Sequence, residues 1–179
     1  MQKRITFEEL RAMARAAKNK IDHIYLHWTA GGYHQFYDDY HLNIDNDGAI
    51  ICTCDDFTEL KSHTWRRNSD AIGIALCCCA GAQAYAGGVI DFGDYPPTAE
   101  QIDTAARVVA ILCEEIGLGI NQQTVMTHCE AAEIDDYGPS TTCERWDLWF
   151  LPDVPGDGEL KPGGGVIRGK AIWWQQNGV

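Results

Sequence analysis

The spacing of hydrophobic positions changes period several times along the chain, and each change predicts an element. Thr6-Phe7-Glu8-Glu9 has the Thr-x-x-Glu form of a capping box, and Phe7, Leu10, Met13/Ala14 and Ala17 follow at helical spacing, so an amphipathic helix is expected within residues 1–20. His23 to Trp28 is rich in β-branched and aromatic residues and ends at Gly31-Gly32, which predicts a strand with His23, Tyr25 and His27 on one face and Ile24, Leu26 and Trp28 on the other. Tyr40 to Asp45, the turn Asn46-Asp47-Gly48 and Ala49 to Cys52 read as a hairpin, because Asp-Gly supplies the positive φ that tight turns need. Ala71 to Cys79 is a continuous apolar run suited to a strand buried on both faces.

In the second half, Thr98-Ala99-Glu100-Gln101 caps a helix whose stripe runs through Ile102, Ala105/Ala106, Val109, Leu112/Cys113 and Ile116 before Gly117 stops it. Gln123 to Thr127 predicts a short strand that delivers His128 much as the first strand delivers His27. Asp135 to Ser140 is a polar turn region. Gly156 to Gly165 is a Gly/Pro/Asp-rich loop before a closing helix with Ile167, Ala171 and Trp174 on one side. Strands alternating with a few long helices imply an α/β or α+β sheet covered by helices.

Composition narrows this picture. With 179 residues and 45% hydrophobic content the chain suits one core, so residues 1–179 are expected to form a single domain. No run approaches the roughly 18 apolar residues of a membrane span, and residues 1–20 carry charges where a signal peptide has an apolar stretch. The expectation is cytoplasmic synthesis. The net charge is −12, and it is uneven: residues 1–20 hold six Lys/Arg against two Glu, leaving eight of 14 basic residues against 24 of 26 acidic ones. An acidic body argues against nucleic acid as a partner, and the basic start reads as a solvated helix face. The eight cysteines are not spaced as a structural zinc site; most look like small core residues, although Cys129 and Cys143 could bridge in an oxidising compartment.

Two histidines at strand ends suggest a catalytic metal, which takes three protein ligands and leaves one position open. His27 and His128 supply two; Cys143, Glu144 and Asp147 compete for the third, with Asp135 and Asp136 as weaker options. There is no His-Glu-x-x-His helix, no Gly-x-Ser-x-Gly elbow and no phosphate-cradling glycine loop, and the apolar setting of Cys77 to Cys79 argues against a thiolate nucleophile.

Ile24-Tyr25-Leu26-His27-Trp28-Thr29-Ala30, Tyr40-His41-Leu42 with Asp47-Gly48, Asn68-x-x-Ala71-Ile72-Gly73-Ile74, Thr127-His128 and Arg145-Trp146-Asp147 occur in the order seen in type 2 N-acetylmuramoyl-L-alanine amidases. The chain resembles that family, which includes phage lysozyme-type amidases and peptidoglycan recognition proteins, across residues 21–151. The resemblance implies a single α/β domain with a central mixed β-sheet flanked by helices, an N-terminal helix in 1–20 before that core, and a loop and helix in 152–179 after it. It further implies Zn2+ held by His27, His128 and Asp147, with Cys143 as the alternative third ligand, a catalytic tyrosine at Tyr40, charge stabilisation by Arg145 and substrate contact by His63. Ala75 stands where other members carry a glutamate, which places the chain with the tyrosine-bearing members. Glu130 is a rival base. The segment from His128 to Asp147 is longer than in compact members, with Glu133 to Thr142 inserted.

The implied reaction is hydrolysis of the amide between the muramic acid lactyl group and L-alanine of peptidoglycan by a phage lysin, recycling enzyme or delivered effector, made in the cytoplasm and, as a lysin or effector, released to the cell wall; a monomer is assumed, and the sequence does not give the oligomeric state. A zinc peptidase cutting within the stem and a muropeptide-binding module that does not cut are the alternatives.

Overall fold

The computed structural model describes residues 2–85, 87–153 and 158–179. Its strands are β1 (Lys3–Ile5), β2 (His23–Trp28), β3 (Leu42–Ile44), β4 (Ile50–Cys52), β5 (Ala71–Leu76), β6 (Gln83–Tyr85), β7 (Val89–Asp91), β8 (Val125–Thr127), β9 (Phe150–Pro152) and β10 (Leu160–Pro162). The helices are α1 (Phe7–Ala16), α2 (Ala99–Ile116), α3 (His128–Ile134) and α4 (Gly163–Asn177). The central mixed sheet runs β1-β4-β3-β5-β2-β8; β6/β7 and β9/β10 form separate hairpins. β1, β4 and β3 pair antiparallel, whereas β3, β5, β2 and β8 run parallel.

The two faces of β2 meet different surroundings, as its two-residue alternation requires. Ile24, Leu26 and Trp28 enter the main core with Leu10 and Ala14 of α1, Val109 and Leu112 of α2 and Ile167 of α4. Tyr25 faces the other way and joins Ala71, Met126 and Ala131 in a small cluster beneath α3. His27 shares Tyr25's face, so the side that is thinly covered with apolar groups is the side that carries the imidazole.

α2 begins at a capping box in which Thr98 accepts from the Gln101 amide and Gln101 reaches back to the Thr98 amide, and it ends at Gly117 with φ 95°. The same Gln101 side chain donates from Nε2 to the carbonyls of Ile44 and Cys77, both at 3.0 Å, so one buried amide fastens the helix to the ends of β3 and β5.

Four expectations change. The N-terminal segment is not helical throughout: residues 3–5 are an edge strand on β4, and the helix starts at Phe7. Its basic face is not simply solvated, because Arg11 pairs with Glu114 and Glu115, and Arg15 with Glu115. The apolar run from Ala71 leaves the sheet after Leu76; Cys77 to Cys79 stay buried, but Cys79 sits at φ 72°, incompatible with extension. The Gly/Pro/Asp-rich stretch is a loop only in part: residues 156 and 157 lie outside the described residues, Leu160–Pro162 is a strand, and Gly163 to Gly165 form the first turn of α4. Two of those glycines are there for close packing, since a Cβ on Gly163 would fall 2.1 Å from the Leu148 carbonyl and one on Gly164 would fall 2.5 Å from the Glu130 carboxylate. No helix among the described residues is long and apolar enough to cross a membrane.

Replacing Gln101 by Met, which keeps the volume and removes every hydrogen bond, should destabilise the protein by roughly 2–4 kcal/mol, because buried carbonyls lose their donors. A denaturant titration whose midpoint did not move would show that those carbonyls find other partners.

Candidate metal centre

Three side chains from distant parts of the chain converge on the thinly covered face of the sheet. His27 stands near the end of β2, His128 is the first residue of α3, and Asp147 lies on the segment leading to β9; all three are buried. Thr127 caps α3, its hydroxyl accepting from the Glu130 amide at 3.1 Å while Glu130 accepts from the Thr127 amide at 2.9 Å. This cap ends β8 and turns the chain, so His128 points back over β2.

The donor atoms form a triangle. His27 Nδ1 lies 3.1 Å from His128 Nδ1 and 3.2 Å from Asp147 Oδ2, and His128 Nδ1 lies 3.4 Å from Asp147 Oδ1. A tetrahedral zinc ion with bonds of about 2.0–2.1 Å separates its ligands by about 3.3–3.4 Å. Asp147 Oδ1 is buried and accepts no hydrogen bond from the described residues. Two ring nitrogens facing each other beside an unsatisfied carboxylate oxygen form an arrangement that a divalent cation would complete, so the residues fit the ion.

Outer partners orient both rings. His27 Nε2 is 3.3 Å from the Thr64 hydroxyl, which lies 2.9 Å from His63 Nδ1, and His128 Nε2 is 3.3 Å from the Tyr137 hydroxyl. Ligating histidines are commonly fixed through the second ring nitrogen in this way. His63 lies across β5, where a Cβ on Gly73 would sit 2.6 Å from its ring; this accounts for glycine between Ile72 and Ile74. His41 supports the same strand, accepting from the Gly73 amide at 3.0 Å and donating to the Glu59 carbonyl at 2.8 Å.

The cluster lies at a cleft of about 1090 Å³ whose lining includes His128, Asp147, Tyr40, His63 and Arg145. Tyr40 packs its ring 5.1 Å from that of His27, and the Thr53 hydroxyl donates to its carbonyl. Ala75 is the register partner of His27 on β5 and is fully buried, so no carboxylate stands beside His27 from that strand. Arg145 is exposed on the cleft wall, with Nη1 donating to the Glu144 carbonyl.

Other candidates are placed elsewhere. Glu130 forms a two-pronged ion pair with Arg168 at 2.7 and 2.8 Å besides capping α3, which removes it as a base. Asp135 is held by Arg67 at 2.6 and 2.7 Å. Cys143 is exposed and is not among the three converging donors, and neither are Glu144 and Asp136; Cys129 and Cys143 are both free thiols. Gly31 and Gly32 do not open space beside His27, because they pack against Tyr37 and Tyr95. Tyr137 and Thr64 were not singled out from sequence. Both are hydroxyl residues in polar turns, and nothing in a turn's composition says which hydroxyl will meet a histidine.

Burial and charge set the protonation states. Burial pushes His27 down to about 4 against the opposing pull of Asp147. For Asp147, burial favours the acid form, but His128 and His27 prevail and hold its carboxyl well below the usual range. Burial, then the Asp147 charge, raises the Tyr40 phenol far above its ordinary value. Without metal the set is therefore a carboxylate beside a neutral His27.

A mixed sheet over which two histidines and an aspartate converge at one cleft defines an α/β protein with a three-donor site suited to a divalent cation. The profile of the N-acetylmuramoyl-L-alanine amidase family matches residues 17–146, and the chain belongs to that family. The match stops one residue before Asp147, so geometry alone brings that carboxylate to the histidines. No curated protein matches the sequence. Among solved structures the chain is similar to the endolysin N-acetylmuramoyl-L-alanine amidase LysCS from Clostridium intestinale URNW, at 18% identity and a TM-score of 0.45, over 61% of this chain and 69% of that one.

Burial lowers His41 to about 4, the Glu59 carbonyl opposing it, and lowers His63 to about 2, with neighbouring histidines adding to the effect. A depressed folded pKa means that the unfolded chain binds more protons below pH ~6.5, so this stability is present above pH ~6.5 and lost on acidification. The metal-free protein should lose stability steadily from pH 6.5 to 4, with His41 contributing up to roughly 3 kcal/mol. Urea midpoints across that window measure the loss; His41→Gln, although less stable at pH 7, should show a shallower slope.

Proposed function

We propose that the protein is a zinc-dependent N-acetylmuramoyl-L-alanine amidase that hydrolyses the amide joining the lactyl group of muramic acid to L-alanine in peptidoglycan. The observation that carries this reading is the convergence of His27, His128 and Asp147 to 3.1–3.4 Å at a cleft, in a chain of this family. With two neutral donors and one carboxylate, a divalent zinc ion keeps a net positive charge. When bound, zinc supplies Lewis acidity toward a carbonyl oxygen and a water acidic enough to attack near neutral pH.

The chain's own residues supply the rest. Asp147 enters the site already ionised, so no proton has to leave it when the ion arrives. Thr64 and Tyr137 hold the outer nitrogens of the two imidazoles and thereby their orientation. Tyr40, held as a neutral phenol beside His27, offers a hydroxyl that orients the attacking water or donates to developing negative charge. Arg145 stays protonated and donates hydrogen bonds to the tetrahedral oxyanion; it cannot shuttle a proton. His63 borders the cleft between β5 and Thr64, where it meets the substrate and steadies the Thr64 hydroxyl. The acidic body is repelled by an anionic cell wall, so broad lytic activity at low salt is not expected of it.

Purified peptidoglycan digested with and without chelator, with fragments identified by mass, tests the reading. Free stem peptides beginning at L-alanine are expected, and chelation should abolish them. Cuts inside the stem would make the protein a peptidase, and an intact polymer that retains the protein would make it a binding module. His27→Ala should remove metal and activity together. Arg145→Ala should lower kcat/KM by about 100-fold, as loss of one oxyanion donor does elsewhere. Tyr40→Phe should lower kcat more than it alters KM; unchanged turnover would remove Tyr40 from the chemistry.

A further inference from the structure

Between His128 and Asp147, the Tyr137 side chain reaches the candidate metal centre. We propose that Tyr137 is a positioning residue for that centre: it holds the His128 imidazole with Nδ1 turned inward and fixes the chain that delivers Arg145 and Asp147. This inference rests on reading His27, His128 and Asp147 as metal ligands.

Every polar group of Tyr137 is engaged in this task. Its hydroxyl lies 3.3 Å from His128 Nε2. With a cation held at Nδ1, the ring hydrogen would sit on Nε2, where the phenol oxygen accepts it. The Tyr137 amide donates to the Ala132 carbonyl at 2.9 Å, closing the end of α3, while its carbonyl accepts from the Glu144 and Arg145 amides at 3.1 and 3.3 Å. One residue thus touches the helix that begins with His128, the His128 ring itself and the backbone two residues short of Asp147.

The segment is built to hold that residue still. Glu133 accepts from the Ser140 amide at 2.7 Å and from its hydroxyl, and the Cys143 amide donates to the Gly138 carbonyl at 2.8 Å. Gly138 leaves no space for a side chain, since a Cβ there would fall 2.6 Å from the Glu133 amide. The Arg67–Asp135 pair ties the end of α3 to the loop that carries His63 and Thr64, and the Trp65 ring meets the Tyr137 ring at 90° with centroids 5.6 Å apart. The two loops that hold the outer nitrogens of His27 and His128 are therefore joined to each other.

Tyr137→Phe removes one oxygen and keeps the ring, and three measurements read the result. First, zinc affinity by competition with a chromogenic chelator should weaken by about 10- to 100-fold, as loss of a partner to a ligating histidine does. Second, nitrogen NMR of the zinc-free protein should show His128 in a single tautomer in the wild type and as a mixture in the variant. Third, the zinc-free unfolding midpoint should stay unchanged, which separates orientation from general stability. If wild-type protein binds zinc, the variant binds it equally well and the tautomer is the same, the positioning role is overturned while the amidase reading stands. If wild-type protein binds no zinc, the metal reading fails, and an unchanged His128 tautomer would then overturn the positioning role independently.

Discussion

A buried carboxylate lying within 3.4 Å of two imidazoles is the constraint on which the rest of this structure depends. A charge removed from water is tolerated only where it is paired or bound to a metal, and one oxygen of Asp147 has no hydrogen bond among the described residues. The apo arrangement therefore holds a cost that a divalent cation would relieve. The surroundings keep the three groups from moving apart: β2 is fixed between β5 and β8, Thr127 caps α3 at the point where His128 leaves it, and the backbone leading to Asp147 hangs from the Tyr137 carbonyl.

The sheet divides the work between its faces. α1, α2 and α4 bury Ile24, Leu26 and Trp28, which supplies the hydrophobic stabilisation, and the opposite face is left with a small cluster and a row of histidines. Stability on one side permits a polar, partly unsatisfied site on the other. Contacts between the sides are few but well placed: Gln101 fastens α2 to the ends of β3 and β5, and Arg168 of α4 grips Glu130 in the first turn of α3. The second of these makes Glu130, a rival base in the sequence, a clamp for the helix that presents His128.

The path from His128 to Asp147 is held along its length. It folds back on α3 through Tyr137, Gly138 and Glu133 and is tied across to the His63 loop by Arg67, so the carboxylate it carries is kept beside the two imidazoles.

Local chemistry determined much of this protein. The strand His23 to Trp28, the Asp-Gly hairpin and the capped helices at Thr6 and Thr98 were legible because periodicity, turn residues and caps act over a few neighbouring residues. The two histidines were legible as strand-end residues, and the family pattern pointed to Asp147, Tyr40, Arg145 and His63. Short pairings such as β1 on β4 and β9 on β10 were not, since three-residue strands exist only through partners distant in sequence. Nor could residue types alone, without the family pattern, choose among Cys143, Glu144 and Asp147, reveal that Glu130 belongs to Arg168, or single out Tyr137 from its polar turn. Those outcomes depend on which groups meet across 9 to 120 residues of chain, and only the tertiary packing that sets donor distances and leaves one oxygen of Asp147 unsatisfied decides them.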